Sequence, residues 1–387
     1  MPKSVGSVTS LTVDEAGRIY AVTQHQAGIF RMQPSELGSG KLVNLERLGG
    51  ITDTLGWSQG ILHAFESLYV TVSEKNDKRE SGLYRAMDSD LDGVYDQLFK
   101  ILALQGAGEH GPHNVIVGPE GKSLYMINGN GTPVPENILE RRTVPAPDLD
   151  HLMPEGFQSS EYTDAGWVVR IDPDGSNPEL IAGGLRNSYD LAFNRIGDLF
   201  TFDSDMEYDL GTPWYRPTRI CQIVSGADFG WRAGTAKWPE YYEDGTRPVV
   251  NVGPSSPTGV LFGYETHFPD KYRNAMFALD WTFATLYAVF LEPEGAGYSS
   301  EFEIFASGTG LPFTDAVVGK DGALYFSVGG RHLGSAIYRI FYDGPEENSA
   351  EKQFTGNESR DLRLSLESFH GRNNPAAVGR VWQYLGS

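Results

Sequence analysis

Along most of the chain apolar and polar positions alternate with a period of two, and the alternating runs come in pairs. An apolar run, a turn containing Gly and a second apolar run recur as LTVDEAGRIYAV at 11–22, VIVGPEGKSLYMI at 115–127, LAFNRIGDLFTF at 191–202 and VVGKDGALYFSV at 317–328. Such alternation buries one face of an extended strand, and Gly between two runs supplies the positive φ of a hairpin turn. Two looser copies, GILHAFESLYVTV at 60–72 and GVLFGYETHFPDKYRNAMFALDW at 259–281, fall between them. A shorter strand-like phrase follows each copy, as in GIFRM at 28–32, GWVVRIDPDG at 166–175 and AIYRIFYDG at 336–344. Six paired phrases predict an all-β chain folded as a six-bladed β-propeller, because four-stranded units at a spacing of ~40–50 residues are that fold's signature. A seventh blade would have to lie within 132–165.

Two stretches break the rhythm. From Gly131 to Asp164 the chain carries Pro133, Pro135, Pro145, Pro147 and Pro154 with no period, which reads as a long ordered loop across one face. After Gly344 the sequence turns polar, then helical at RDLRLSLESFHG and again at AAVGRVWQYL. The expected division is a propeller over 1–344 and a linker with a short C-terminal helical tail over 345–387, either a cap under a blade or the start of a further helical domain.

Charge narrows the function. Asp plus Glu number 51 and Lys plus Arg 31, a net −20. A surface of that sign argues against nucleic acid and anionic membrane as partners and leaves cations and neutral ligands. The single cysteine, Cys221, excludes an intramolecular disulfide, zinc ribbons and iron–sulfur clusters. No apolar run approaches the ~18 residues of a membrane span, and the N-terminal MPKSVGS has no signal-peptide core.

Four constellations are candidates for chemistry. Asp88, Asp90 and Asp92 alternate ahead of Gly93, with Asp96 beyond, the spacing in which oxygen ligands surround Ca²⁺. The rival is a solvated acidic turn. Asp203, Asp205, Glu207 and Asp209 also alternate, which puts four carboxylates on one side of an extended chain. Either a metal or sugar-hydroxyl site or a network compensated by Arg216 and Arg219 would hold them together. His110 and His113 flank a Gly-Pro turn just before a strand, followed by Asn114; histidine is the natural base near neutral pH. Arg186 and Asn187 again precede a strand, and the planar fork of Arg suits a carboxylate or quinone oxygen. Trp214, Tyr215, Trp231, Trp238, Tyr241 and Tyr242 crowd one region, as a sugar platform or as core.

The phrases EHGPHNVIVGPEGKSLYMINGN, GLRNSYDLAF, GADFGWRAG, SPTGVLFG and FTDAVVGKDGALYF, in that order, resemble the glucose/sorbosone dehydrogenase-like propellers, which include soluble quinoprotein glucose dehydrogenases. The likeness is greatest to the planctomycete-type membrane-bound dehydrogenase domain and covers roughly 1–344. The resemblance implies a sugar dehydrogenase with His110 as base, Arg186 and Asn187 on the quinone and substrate, and Ca²⁺ and pyrroloquinoline quinone as cofactors. The candidate substrate contacts are His113, Asn114, Trp214, Tyr215, Asp315 and Arg331, and the resemblance implies export to the periplasm and further helical or haem domains in a longer chain. The sequence departs from the family at two places. The calcium loop falls at 203–213, where carboxylates replace Gly-Pro carbonyls, and the Arg-x-Arg-Asp that clamps the quinone corresponds to Pro312-Phe313-Thr314-Asp315, with both arginines missing. Arg331 is the candidate substitute. Two alternatives therefore stand beside the dehydrogenase: a metal-dependent sugar dehydratase, lyase or lactonase without redox cofactor, and a non-catalytic glycan- or protein-binding module.

Overall fold

Each repeated hairpin forms the inner half of one antiparallel sheet, and the phrase after it forms the third strand. Blade 1 is Val8–Val13, Ile19–Thr23, Ile29–Met32 and Leu45–Arg47; blade 2 is Ser58–Ala64, Ser67–Val72, Gly82–Met87 and Gln97–Ala103. Blade 3 is Pro112–Val117, Leu124–Asn128, Gly166–Ile171 and Glu179–Leu185, with Leu139–Glu140 added in parallel at its edge. Blade 4 is Ala192–Phe193, Leu199–Asp203, Thr218–Ile223 and Val250–Gly253, and blade 5 is Pro257–Phe262, Met276–Asp280, Thr285–Glu294 and Gly297–Ser307. Blade 6 has three strands among the described residues, Phe313–Val318, Leu324–Val328 and Ala336–Ile340. The computed structural model describes residues 5–24, 28–36, 43, 45–73, 79–140, 166–207, 215–234, 237–345, 356–372 and 374–382. The chain is thus a six-bladed propeller, and the extra length of blades 3 and 4 lies in insertions.

Six apolar clusters hold the ring, one between each neighbouring pair of blades. The seam between blades 1 and 2, for instance, brings Tyr20 and Val22 against Leu68, Val70 and Val72. The six innermost strands surround a central channel with a cavity of about 400 Å³. One position near the upper end of each innermost strand meets a neighbouring blade, and these read Ser10, Gly60, Asn114, Asp190, Gly259 and Asp315 around the ring. Asn114 Nδ2 donates to Asp190 Oδ1 at 2.7 Å, and Asp190 Oδ2 accepts the Val260 N–H at 3.0 Å. Asp315 Oδ2 accepts from Ser10 Oγ and the Leu11 N–H, both at 2.7 Å, which closes blade 6 onto blade 1. Gly is required at the smaller positions, since a Cβ on Gly60 would lie 2.7 Å from Asn114 Cα.

In an antiparallel meander the turns between strands one and two and between three and four share one face, called lower here. The turns between strands two and three, and those leading to the next blade, form the upper face. The tail helix Glu358–Glu367 docks on the lower face. Asn357 caps it by accepting the Arg360 N–H at 2.8 Å. Arg360 Nε (2.8 Å) and Arg363 Nη2 (2.6 Å) both donate to Asp198, whose side chain is 1% exposed in the first turn of blade 4. Arg363 Nε also donates to Ala296 O, at 3.0 Å, in the last turn of blade 5. The helix is therefore a clasp across two blades. Burial pushes Asp198 up, but the hydrogen bonds from Arg360 and Tyr298 and the Arg363 charge outweigh it and hold the carboxyl below its usual range. A group depressed in the folded state contributes stability above its unfolded pKa of ~3.9 and loses it as pH falls through the folded value. Replacing both arginines by Ala strands a buried carboxylate and should cost roughly 3 kcal/mol at pH 7, with the difference from wild type vanishing at the acid end of a urea-denaturation series. An unchanged midpoint at pH 7 would show that the clasp carries no load.

Candidate functional site

The upper face gathers His110, Arg186, Asn187 and the 203–207 strand end. His110 closes a short 3-10 turn, Gly108–His110, between blades 2 and 3. The turn is fastened on both sides: Gly108 N–H donates to Ser73 O at 2.7 Å, and Gly131 N–H donates to His110 O at 2.8 Å. Glycine is needed at 131, because a Cβ there would lie 2.6 Å from the His110 carbonyl oxygen. His110 Nδ1 lies 2.6 Å from Asn130 Oδ1, an acceptor, so Nδ1 carries the proton and Nε2 is left with its lone pair. Burial lowers the His110 pKa to about 4, and the charges of Arg186 and Arg331 push the same way against the Asn130 hydrogen bond. The ring is neutral at pH 7, with a basic nitrogen that has no partner among the described residues.

His113 has a different surrounding. It is fully buried, with Nδ1 2.8 Å from Ser188 O and Nε2 3.0 Å from Glu109 O, and its ring centre lies 4.8 Å from that of Tyr189. Burial lowers it to about 4 as well. It ties the His110 turn to the Arg186 turn. Tyr189 completes the plug of the channel by donating to Gln59 O at 2.7 Å. Asn114 and Asp315 are buried in the ring around the channel, below the face. Three residues expected to meet a substrate, His113, Asn114 and Asp315, therefore bind other parts of the chain instead. They stand one or two positions into the strand, past the point where it leaves the face.

The carboxylates of the 203–207 segment are spoken for. Asp203 is fully buried and accepts from the Arg186 N–H at 3.1 Å, Ser188 Oγ at 2.8 Å and Arg219 Nη2 at 2.9 Å. The Arg186 fork reaches Asp205 at 3.3 Å with Nη1 and Glu207 at 2.9 Å with Nη2. Burial raises the Asp205 pKa to about 6, Arg186 opposes it and the Glu207 carboxylate adds to the rise. This is the arginine-compensated arrangement. Asp209 and Trp214 lie outside the described residues. Tyr215 is 42% exposed on a small hairpin in which Glu207 faces Tyr215. Of the other aromatics, Trp231 is buried, Trp238 packs under Arg232 at 4.4 Å, and Tyr241 is 79% exposed.

Among the described residues one group has carboxylate oxygens close enough for a metal, Asp88, Asp90 and Asp92, within 4.8 Å of one another. They sit in the last turn of blade 2, on the lower face, away from His110. Asp96 faces Ser89, accepting from its N–H at 3.0 Å and its Oγ at 2.5 Å, and so closes the turn.

A cavity of about 430 Å³ opens over the turn that ends in His110, lined by Gln24, Trp57, Gln59, Gly108, Glu109, Arg331 and His332; the His110 ring is not part of its lining. Its size falls in the roughly 300–1,000 Å³ range of small-ligand pockets. Three of its residues hold left-handed backbone, Trp57 at φ 59°, Arg331 at 46° and His332 at 64°. Such strain costs about 1–3 kcal/mol each and gathers at ligand sites. Arg331 is engaged by Glu109 Oε2 at 2.7 Å and stacks on Trp281 at 4.9 Å. Asn130, Trp57 and Gln59 were not legible as site residues; the one available signal is the Gly-Asn-Gly of INGNGT directly after a strand. Among the described residues no helix is long and apolar enough to cross a membrane.

No protein-family model matches the chain, and no curated protein matches it in sequence. Solved structures do match in shape. The PQQ-bound aldose sugar dehydrogenase of Streptomyces coelicolor aligns with a TM-score of 0.59 at 15% identity, over 86% of this chain and 93% of that one. The soluble aldose sugar dehydrogenase of Escherichia coli in its apo form aligns at 0.59 and 13%, over 84% and 94%. A putative oxidoreductase (glucose dehydrogenase) from Thermus thermophilus aligns at 0.60 and 18%, over 87% and 96%. In fold, the chain is a six-bladed propeller similar to those of the PQQ-type sugar dehydrogenases.

Proposed function

We propose that the upper face binds a carbohydrate and oxidises one of its hydroxyl groups, with His110 Nε2 taking the hydroxyl proton. The observation that carries this reading is the His110–Asn130 pair: a neutral imidazole, fixed through Nδ1, at the end of the turn whose Gly108 and Glu109 line a strained pocket. Trp57 offers an aromatic wall, and Gln24, Gln59 and Glu109 offer the hydrogen-bond partners that sugar hydroxyls need. Arg186 and Asn187 hold the turn opposite, Asn187 by donating to Glu109 O at 3.0 Å.

Oxidation needs an electron acceptor, and pyrroloquinoline quinone carries three carboxylates. Three arginines of this face are already committed. Arg186 is divided between Asp205 and Glu207, Arg219 is buried on Asp203, and Arg331 is engaged by Glu109. Each charge-assisted bond the quinone forgoes is worth roughly 1.5–3 kcal/mol. In this proposal the hydroxyl proton therefore passes to His110 Nε2 and the carbinol hydrogen leaves with two electrons as hydride to a diffusible quinone or dye, which needs no carboxylate clamp and is reduced to the hydroquinone level. Titrating metal-stripped protein with the quinone, with and without Ca²⁺, should give no saturable absorbance change. Saturable binding would restore the quinoprotein assignment and overturn this one.

We place calcium at Asp88, Asp90 and Asp92 on the lower face, as a structural ion. Ca²⁺ should raise the Tm of the wild type and leave that of the Asp90→Asn variant unchanged. An equal rise in both would exclude the turn. One observation favours a second reading, a redox-free elimination. Asp205, raised to about 6 beside Glu207, is an acid on the same arginine that neighbours the His110 base. A carbohydrate consumed without reduction of any dye would select it.

A further inference from the structure

The seam between blades 2 and 3 holds polar side chains that neither the upper face nor the channel uses. Thr71, Asn128 and Thr132 are each 0% exposed. Yet Thr71 Oγ1, Thr132 Oγ1 and both amide atoms of Asn128 have no hydrogen-bond partner among the described residues. Buried side-chain polar atoms are overwhelmingly paired, so four orphans in one region require an explanation.

They share one seam. Thr71 stands two residues above Tyr69 on its strand, and Asn128 two above Met126, so each projects on the same side as an apolar residue of the blade 2–blade 3 cluster. Thr71 is paired across its sheet with Gly60, which abuts Asn114 of blade 3. Asn128 is paired with Pro112 on one side and Trp167 on the other, and Trp167 Nε1 donates to Thr132 O at 2.6 Å. A Cβ built on Gly106, in the segment that leads into His110, would lie 2.9 Å from Thr132 Oγ1.

The chemistry of the atoms selects the ligand. Asn128 Nδ2 only donates and its Oδ1 only accepts, while the two hydroxyls do both. A metal ion leaves Nδ2 unsatisfied, and an anion leaves Oδ1 unsatisfied. Water satisfies every one of them, and internal waters commonly make 2–4 such bonds. We propose that Thr71, Asn128 and Thr132 form an internal water site that buttresses the His110 turn from behind. Ser73, two residues past Thr71, accepts from Gly108 N–H on one flank of that turn, and Asn130, two past Asn128, meets His110 on the other. The site stands apart from the carbohydrate reading and survives if that reading fails.

The test is Thr71→Val, which keeps shape and removes the hydroxyl. With water bound, the water loses a partner and Tm falls by about 2 °C. In a dry seam the change removes an orphaned polar group, and Tm rises. A crystal structure of the wild type supplies the second measurement: ordered density within hydrogen-bond distance of Asn128 Oδ1 or Nδ2 is expected. Absence of that density, or a higher Tm in Thr71→Val, overturns the proposal.

Discussion

Asp203→Ala should be the most destabilising single change on the upper face, at roughly 3–5 kcal/mol, because it leaves Arg219 buried without its counter-charge. The Arg219 side chain is 5% exposed and the Asp203 side chain 0%. The substitution also strips an acceptor from Ser188 Oγ and from the Arg186 N–H. Domains are ordinarily stable by only about 5–15 kcal/mol, so a loss of this size is a large share. Asp203→Asn should do nearly as badly, since it keeps an acceptor but not the charge. The double variant Asp203→Leu/Arg219→Met should recover most of the loss, because replacing both members of a buried pair by apolar residues is often close to neutral. Chemical denaturation of the wild type, Asp203→Leu, Arg219→Met and the double variant makes a double-mutant cycle. The metal reading of this segment makes the opposite forecast: chelator would destabilise the wild type, and Arg219→Met would be harmless.

The second large effect falls on His110. His110→Gln should cost roughly 10²–10⁴-fold in kcat/KM on any carbohydrate that turns over, the usual contribution of a positioned base. Burial, aided by Arg186 and Arg331, puts the His110 pKa at about 4. The neutral form is the active one, so kcat/KM should stay flat from about pH 8 down to about 5 and fall below that. Asn130 is the lever. Its amide oxygen fixes the tautomer but brings no charge, so Asn130→Asp should raise the His110 pKa and move the acid limb of the profile upward. An acid limb near ~6.5, the ordinary histidine value, that Asn130→Asp leaves in place would assign the base to another group.

Much of this architecture was legible in the sequence, for a reason that also explains what was not. The two inner strands of every blade are buried, so their alternation is steep, and LTVDEAGRIYAV or VVGKDGALYFSV announces a hairpin unaided. The outer strands are half solvated: Leu45–Arg47 and Gln97–Ala103 carry charges on mostly exposed positions and leave no pattern. The site was legible as residue types and not as partnerships. Arg186, Asn187 and His110 do meet at the upper face, but nothing local says that Arg186 faces Asp205 and Glu207. Nor does spacing separate His110 from His113. One sits at the end of a turn and one inside a strand, and that short step along the chain decides between a ring with one nitrogen engaged and a ring with both engaged.

The bond between Asp315 and the start of blade 1 bears on how the molecule is made. Ser10 takes its carboxylate partner from a residue 305 positions later, and Val8 N–H takes the Ser335 hydroxyl 327 positions later. A nascent chain leaving the ribosome at about 5–20 residues per second exposes the first edge of the ring for roughly 15–60 s before its partner emerges. Blade 1 carries all four of its own strands, so it can form its hairpins during that interval. Its apolar flank, Leu11, Ile19 and Ala21, waits for Ala323 and Tyr325. Closure is thus a late, long-range step, and shielding that flank until blade 6 arrives is a task for the cell's folding machinery.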